Sequence, residues 1–199
     1  MIFLYAILAH LIADYLLQPA ILVDWKNRSL RGVFMHASIH FLVTTLLLYL
    51  LTGNYRVIFL SIGISIAHFC IDTVKAHYEK SKRNHYFDYW LDQLCHYSSI
   101  FLGNLIAQNF LNQNFHIPPF QNQNIAQILF FNPALIGFLI IAIFSTLTIE
   151  YSHNCISTKT IKPNKIILDK SAMIKRLFLA SLIYIGFLFS FIPSMGLSF

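Results

Sequence analysis

Six apolar runs, at residues 1–22, 33–51, 57–74, 88–111, 134–151 and 177–193, govern what this chain can fold into. Each is close to the roughly 20 residues with which an α-helix crosses a hydrocarbon layer about 30 Å thick. Residues are 57% hydrophobic and only 11% charged, far below the roughly 25% charge of an average soluble domain. The sequence therefore predicts an all-α, polytopic membrane protein of about six transmembrane helices. A four-helix core is expected at 1–111, an outer interfacial loop at 112–133 and two further spans within 134–199. The loop is rich in Asn and Gln and is turned by Pro118 and Pro119. The first run has no basic stretch before it and no small-residue cleavage site after it, so it is expected to stay in the mature protein. Cys70, Cys95 and Cys155 are too few and too scattered for a disulfide framework.

A net charge of +6 would suit nucleic acid, but the placement of the basic residues has a simpler explanation. Lys26, Arg28 and Arg31 fall between the first two runs, and Lys75, Lys80, Lys82 and Arg83 between the third and fourth. Lys159, Lys162, Lys165, Lys170, Lys175 and Arg176 fall between the last two, leaving Arg56 as the one exception among 14. By the positive-inside bias these three loops are cytoplasmic, and both termini lie outside a bacterial inner membrane. No nucleic-acid partner is expected; membrane lipid is. The sequence leaves the oligomeric state open.

Within the apolar runs the ionisable residues recur as pairs spaced i, i+4: His10 with Asp14, His36 with His40, His68 with Asp72, and Asp92 with His96, while Asp88 adds another with Asp92. On an α-helix this spacing leaves two side chains about 40° apart on one face, one turn apart in height. Random placement of the 15 His and Asp residues would produce about one such pair, so a pair on each of four helices is a pattern. Counted from the cytoplasmic boundary at about 1.5 Å per residue, all four pairs fall one to three turns deep and can converge in one layer.

Each Asp at mid-bilayer costs about 2.5–3.5 kcal/mol on insertion scales, so three unpaired ones would rival a whole net stability of about 5–15 kcal/mol. Neutral imidazoles cannot balance carboxylates, whereas a divalent cation can. The candidate ligands are His10, Asp14, His36, His40, His68, Asp72 and His96. The cofactor expected is a divalent transition metal, zinc first with manganese or iron as alternatives, as one ion or two. With Asp14, Asp72 and Asp92 ionised and Lys75 protonated, one dication brings the charge to zero and two bring it to +2, the latter suiting an anionic substrate. Asp92, near the aqueous boundary, is the candidate general base, and Lys75, i+3 from Asp72, a candidate substrate contact. Gln18, Gln93 and Asp88 lie beside the ligands and could orient them. Against this stands the plainer expectation that the histidines form a structural polar core of helix-to-helix hydrogen bonds.

The stretches "AHLIADYLLQ", the His-rich second run, "HFCIDTVK" and "LDQLCH" together resemble an uncharacterised family of bacterial inner-membrane proteins known only as a domain of unknown function. The resemblance covers residues 1–105 and implies a conserved polar core carrying His10, Asp14, Gln18, His36, His68, Asp72, Lys75, Asp92, Gln93 and His96. The HxxxD pairs are also similar to those of membrane-bound proteins described as metal-dependent hydrolases.

Three functions compete with a purely structural cluster. A membrane-embedded metal-dependent hydrolase would act on a lipid or lipid-linked substrate from the cytoplasmic side. A transporter of metal ions or protons would need polar groups along a full crossing, and the outer halves "MIFLYAIL", "FLVTTLLLYLL" and "VIFLSIGIS" hold no ionisable residue. A His-ligated iron or haem redox protein would use the same imidazoles, but the desaturase kind carries several HxxxH motifs and this chain has only one, His36 with His40.

Overall fold

The structure, a computed structural model, describes residues 1–78, 85–111 and 132–149 and scattered helical residues between 171 and 185. All regular structure among the described residues is helical. Helix α1, Ile2–Leu11, runs on into a π-helical stretch at Ile12–Leu16. Then come α2 at Ala20–Arg28, α3 at Leu30–Thr52, α4 at Val57–Tyr78 and α5 at His85–Phe110. Helix α6, Pro133–Ile143, also continues as a π-helical stretch, Phe144–Thr148. The basic stretches at 79–84 and 150–170, most of the outer loop and the end of the sixth run lie outside the described residues, with Glu150, His153 and Cys155 among them.

Two helices, Leu30–Thr52 and Val57–His77, are each long and apolar enough to cross a membrane, and the first run makes a third only if a bent pair is taken as one span. That run is not the single helix the sequence suggests: Ile2–Leu16 and Ala20–Arg28 meet at 96°. Pro19 explains the break. It has no N–H to continue the ladder, and it disfavours helical geometry at Gln18 before it; Pro19 itself is extended, at φ −67° and ψ 157°, and caps α2. Helix α5 has the length of a span, but Asp88, Asp92, Gln93, His96, Asn104 and Gln108 dilute its apolar character. The fifth run forms the shorter apolar helix Pro133–Thr148.

Helices α3 and α4 are antiparallel neighbours because their connection is very short. Gly53 adopts the left-handed φ of 62° that ends α3, and the Asn54 carboxamide accepts from the Arg56 N–H at 2.9 Å to start the next turn. Helix α1 is the hub, packed against α3, α5 and α6, and Tyr5, Ala6, Ala9 and Leu11 are almost fully buried. The alanines give neighbouring helices close access, the usual device where lipid provides no hydrophobic drive between helices. The apolar core joins Ile2, Tyr5 and Leu8 to Leu48, Leu60, Ile64, Ile100 and Ile136, so α6 packs into the same core as the first four runs. The polar side chains collect at the other end of α1.

Candidate metal centre

The four i, i+4 pairs come together around the α1 end. His10 projects from the last turn of α1 and Asp14 from the π-helical stretch, where each turn takes one residue more than in an α-helix; such turns recur at functional sites. His36 and His40 come from α3, His68 and Asp72 from α4, and Asp92 and His96 from α5. All are buried except Asp14, whose side chain keeps 11% of its exposure. The rings of His40, His68 and His96 form a stack, with centroids 3.6 Å apart for the first two and 4.1 Å for the second two.

The tightest grouping surrounds Asp14. Its Oδ1 lies 3.1 Å from His36 Nε2 and 3.0 Å from His40 Nε2, and the two nitrogens are 3.3 Å apart. Four ligand atoms held tetrahedrally about 2.0–2.1 Å from a zinc ion stand about 3.3 Å from one another, so this triangle has nearly the dimensions of one face of such a site. His68 completes a group of four whose ligand atoms all lie within 4.8 Å of one another. His68 also belongs to a second group, with Asp72 and His96; Asp72 stands 3.5 Å from each of these histidines. His10 falls in neither group, although its Nε2 is 3.5 Å from Asp14 Oδ2. The Nε2 atoms of His10 and His68 are buried without a hydrogen bond among the described residues. A histidine cluster satisfied by its own hydrogen bonds would leave no such nitrogens, because an orphaned buried donor or acceptor costs about 1–3 kcal/mol. The donor set and its spacing fit a divalent cation.

Two carboxylates have a different solution. Lys75 Nζ donates to Asp92 Oδ2 at 2.8 Å, and Lys26 Nζ donates to Asp72 Oδ2 at 3.2 Å. By sequence, Lys75 is the one lysine expected near the carboxylates, and Lys26 falls in a loop between spans. In the structure Lys26 rises from α2, with 14% of its side chain exposed, to pair with a carboxylate 46 residues away. A metal is therefore not needed to balance Asp72 or Asp92. Asp14 is the carboxylate that no lysine or arginine reaches among the described residues; its ion-pair contacts are His10, His36 and His40.

The supporting residues are also placed. With its amide oxygen turned toward α2, Gln18 accepts from Lys26 Nζ at 2.8 Å and donates to the Asp14 carbonyl at 3.0 Å, tying the bend to the cluster. Gln93 is buried beside His10, and the Tyr97 ring meets His10 edge-on at 5.5 Å. Asp88 is partly exposed and stands one turn outside the cluster. Cys70 and Cys95 are exposed thiols away from it. The signal that would have found the short helix carrying Lys26 was present in the sequence. Pro19 followed by an apolar and charged nonapeptide, with Asp24 and Arg28 at i, i+4, is the pattern of a short amphipathic helix, and the pair is seen at 2.7 Å.

A family model described as "Protein of unknown function (DUF3307)" matches residues 2–122, more than half of the chain. No curated protein and no solved structure matches it.

Proposed function

Because the chain belongs to the DUF3307 family, whose description names no activity, its chemistry has to be argued from the site, and we propose that it is a membrane-embedded metal-dependent hydrolase acting on a lipid or lipid-linked substrate. The observation that carries this reading is the Asp14–His36–His40 triangle, with edges of 3.0–3.3 Å and, among the described residues, no lysine at its carboxylate. Asp14, His36, His40 and His68 would hold one divalent ion, zinc before manganese or iron. Such an ion supplies Lewis-acid polarisation and activation of water.

The chain's own groups supply the rest. Asp92 serves as proton acceptor: Lys75 holds Oδ2, while Oδ1 is buried without a hydrogen bond and faces His96 Nε2 at 3.4 Å. Lys75 orients that carboxylate. Three carboxylates against Lys26 and Lys75 leave a charge of −1; one dication makes it +1, which suits a singly charged anionic substrate. The six-helix topology, with the site in the cytoplasmic half of a bacterial inner membrane and both termini outside, belongs to the same reading and rests on the distribution of Lys and Arg.

One observation favours a second reading, a transporter of ions or protons. The hydroxyls of Ser61 and Ser65, buried without a hydrogen bond, continue the His68 face of α4 away from the cluster, toward the apolar end.

The test is elemental analysis of protein purified without chelators. One equivalent of a transition metal is expected, lost in His36→Ala and His40→Ala, while Asp92→Asn keeps the metal and loses hydrolysis of the lipids offered. A transporter would show flux in proteoliposomes with no hydrolysis. Protein that is metal-free, and that neither retains nor is thermally stabilised by added Zn²⁺, Mn²⁺ or Fe²⁺, would rule out the hydrolase.

A further inference from the structure

A cleft of about 410 Å³ lies between α2, the start of α3 and the end of α4, lined among others by Lys26, Arg28, Ser29, Thr73, Val74 and His77. It is separate from the ligand cluster but shares one residue with it, since Lys26 both lines the cleft and donates to Asp72. We propose that this cleft binds the phosphate of a membrane-lipid headgroup, with Lys26 as its innermost contact. The inference deepens the hydrolase reading by naming the substrate class, and it rests on that reading for turnover but not for binding.

Three observations carry it. The first is charge: Lys26 and Arg28 bring two cations to the cleft, Lys26 held from the cluster side by Asp72 at 3.2 Å and Arg28 along its own helix by Asp24 at 2.7 Å, so that a dianionic phosphate competes for both. The second is depth. Helix α2 turns 96° from α1 and exposes Ile21 (83%) and Trp25 (44%) next to its charged residues, as a helix lying at the level of lipid headgroups does. The third is the mouth. Leu30 and Val74, both lining the cleft, are more than half exposed, so acyl chains can leave along apolar surface while the phosphate stays with the cations. A free phosphate would use only the inner part of this arrangement, and for that reason a lipid is the occupant.

Binding has a consequence at the cluster. A phosphate that takes hydrogen bonds from Lys26 competes with Asp72, so the headgroup draws the lysine outward and leaves the Asp72 carboxylate to His68 and His96. Headgroup recognition and the state of the second ligand group are thereby coupled through one side chain.

The experiment uses the full chain in a zwitterionic detergent, stripped of metal so that binding is read without turnover. Dioctanoyl phosphatidic acid, dioctanoyl phosphatidylcholine and inorganic phosphate are titrated separately and followed by native mass spectrometry and thermal shift. Saturable binding of phosphatidic acid is expected, at least tenfold tighter than either other probe. Ala76 also lines the cleft; Ala76→Phe, which fills it, and Arg28→Gln should each weaken binding about tenfold while leaving the melting temperature of the lipid-free protein near that of the wild type. Equal binding of phosphatidylcholine, inorganic phosphate binding as tightly as the lipid, or undiminished binding in both variants would each overturn the proposal. Failure of the hydrolase reading looks different: phosphatidic acid binds as expected, but protein purified without chelators, before any stripping, carries no metal and takes up none that is added.

Discussion

At Asp92 an ammonium meets a buried carboxylate: Lys75 Nζ is 2.8 Å from Oδ2, in an environment where only 7% of the Asp92 side chain is exposed. Removing one partner of a buried pair leaves the other charge uncompensated, at a cost of about 3–5 kcal/mol, whereas removing both charges is nearly neutral. Lys75→Met is therefore expected to lower thermal stability by that order, and adding Asp92→Asn should restore most of it; a double variant as unstable as the single one would contradict the pairing. The i, i+4 spacing made the histidines and aspartates legible in the sequence, because helical geometry fixes which residues share a face. The Lys26–Asp72 contact was not legible, because its two residues sit 46 positions apart: Pro19 marks a break before α2, but no local feature fixes the direction that brings Lys26 onto Asp72.

The seating of α2 against α3 depends on small residues at the junction between them. Ser29 links the two helices: its Oγ accepts from the Gly32 N–H at 3.1 Å and donates to the Trp25 carbonyl at 3.2 Å. A Cβ on Gly32 would lie 2.4 Å from the Trp25 carbonyl carbon, against backbone that cannot swing aside. Gly→Ala within a helix ordinarily stabilises by about 0.4–1 kcal/mol; here the sign reverses, because α2 has to move and Lys26 moves with it. Gly32→Ala is expected to lower the melting temperature, and combining it with Lys26→Met should cost clearly less than the sum of the two, since both break the same contact. Additive losses would show that α2 and the cluster are independent. The apolar pattern of residues 1–22 concealed this element: a run that averages as one span is divided by Pro19, and averaging hydrophobicity does not register a change of direction.

For the whole molecule, the apolar runs made the helical class legible, while the number of crossings depends on how the bent first pair and α5 sit in lipid, which composition alone does not determine. The charge distribution gives the orientation a clear test. A reporter fused at Phe199 that is active only outside the cytoplasm should be active, and one inserted in the basic stretch 159–170 should be silent; the opposite result would invert the topology. Biosynthesis meets a difficulty at Asp14. The histidines that surround its carboxylate, His36 and His40, come 22 and 26 residues later in the chain, at synthesis rates of about 5–20 residues per second. For that interval of roughly one to several seconds the nascent first helix carries an acidic group that lipid rejects by about 2.5–3.5 kcal/mol, with its eventual neighbours still unmade. On the proposed six-helix topology, helix α1 would enter the bilayer together with α3, and the histidines that complete the site would also admit the first helix to the membrane.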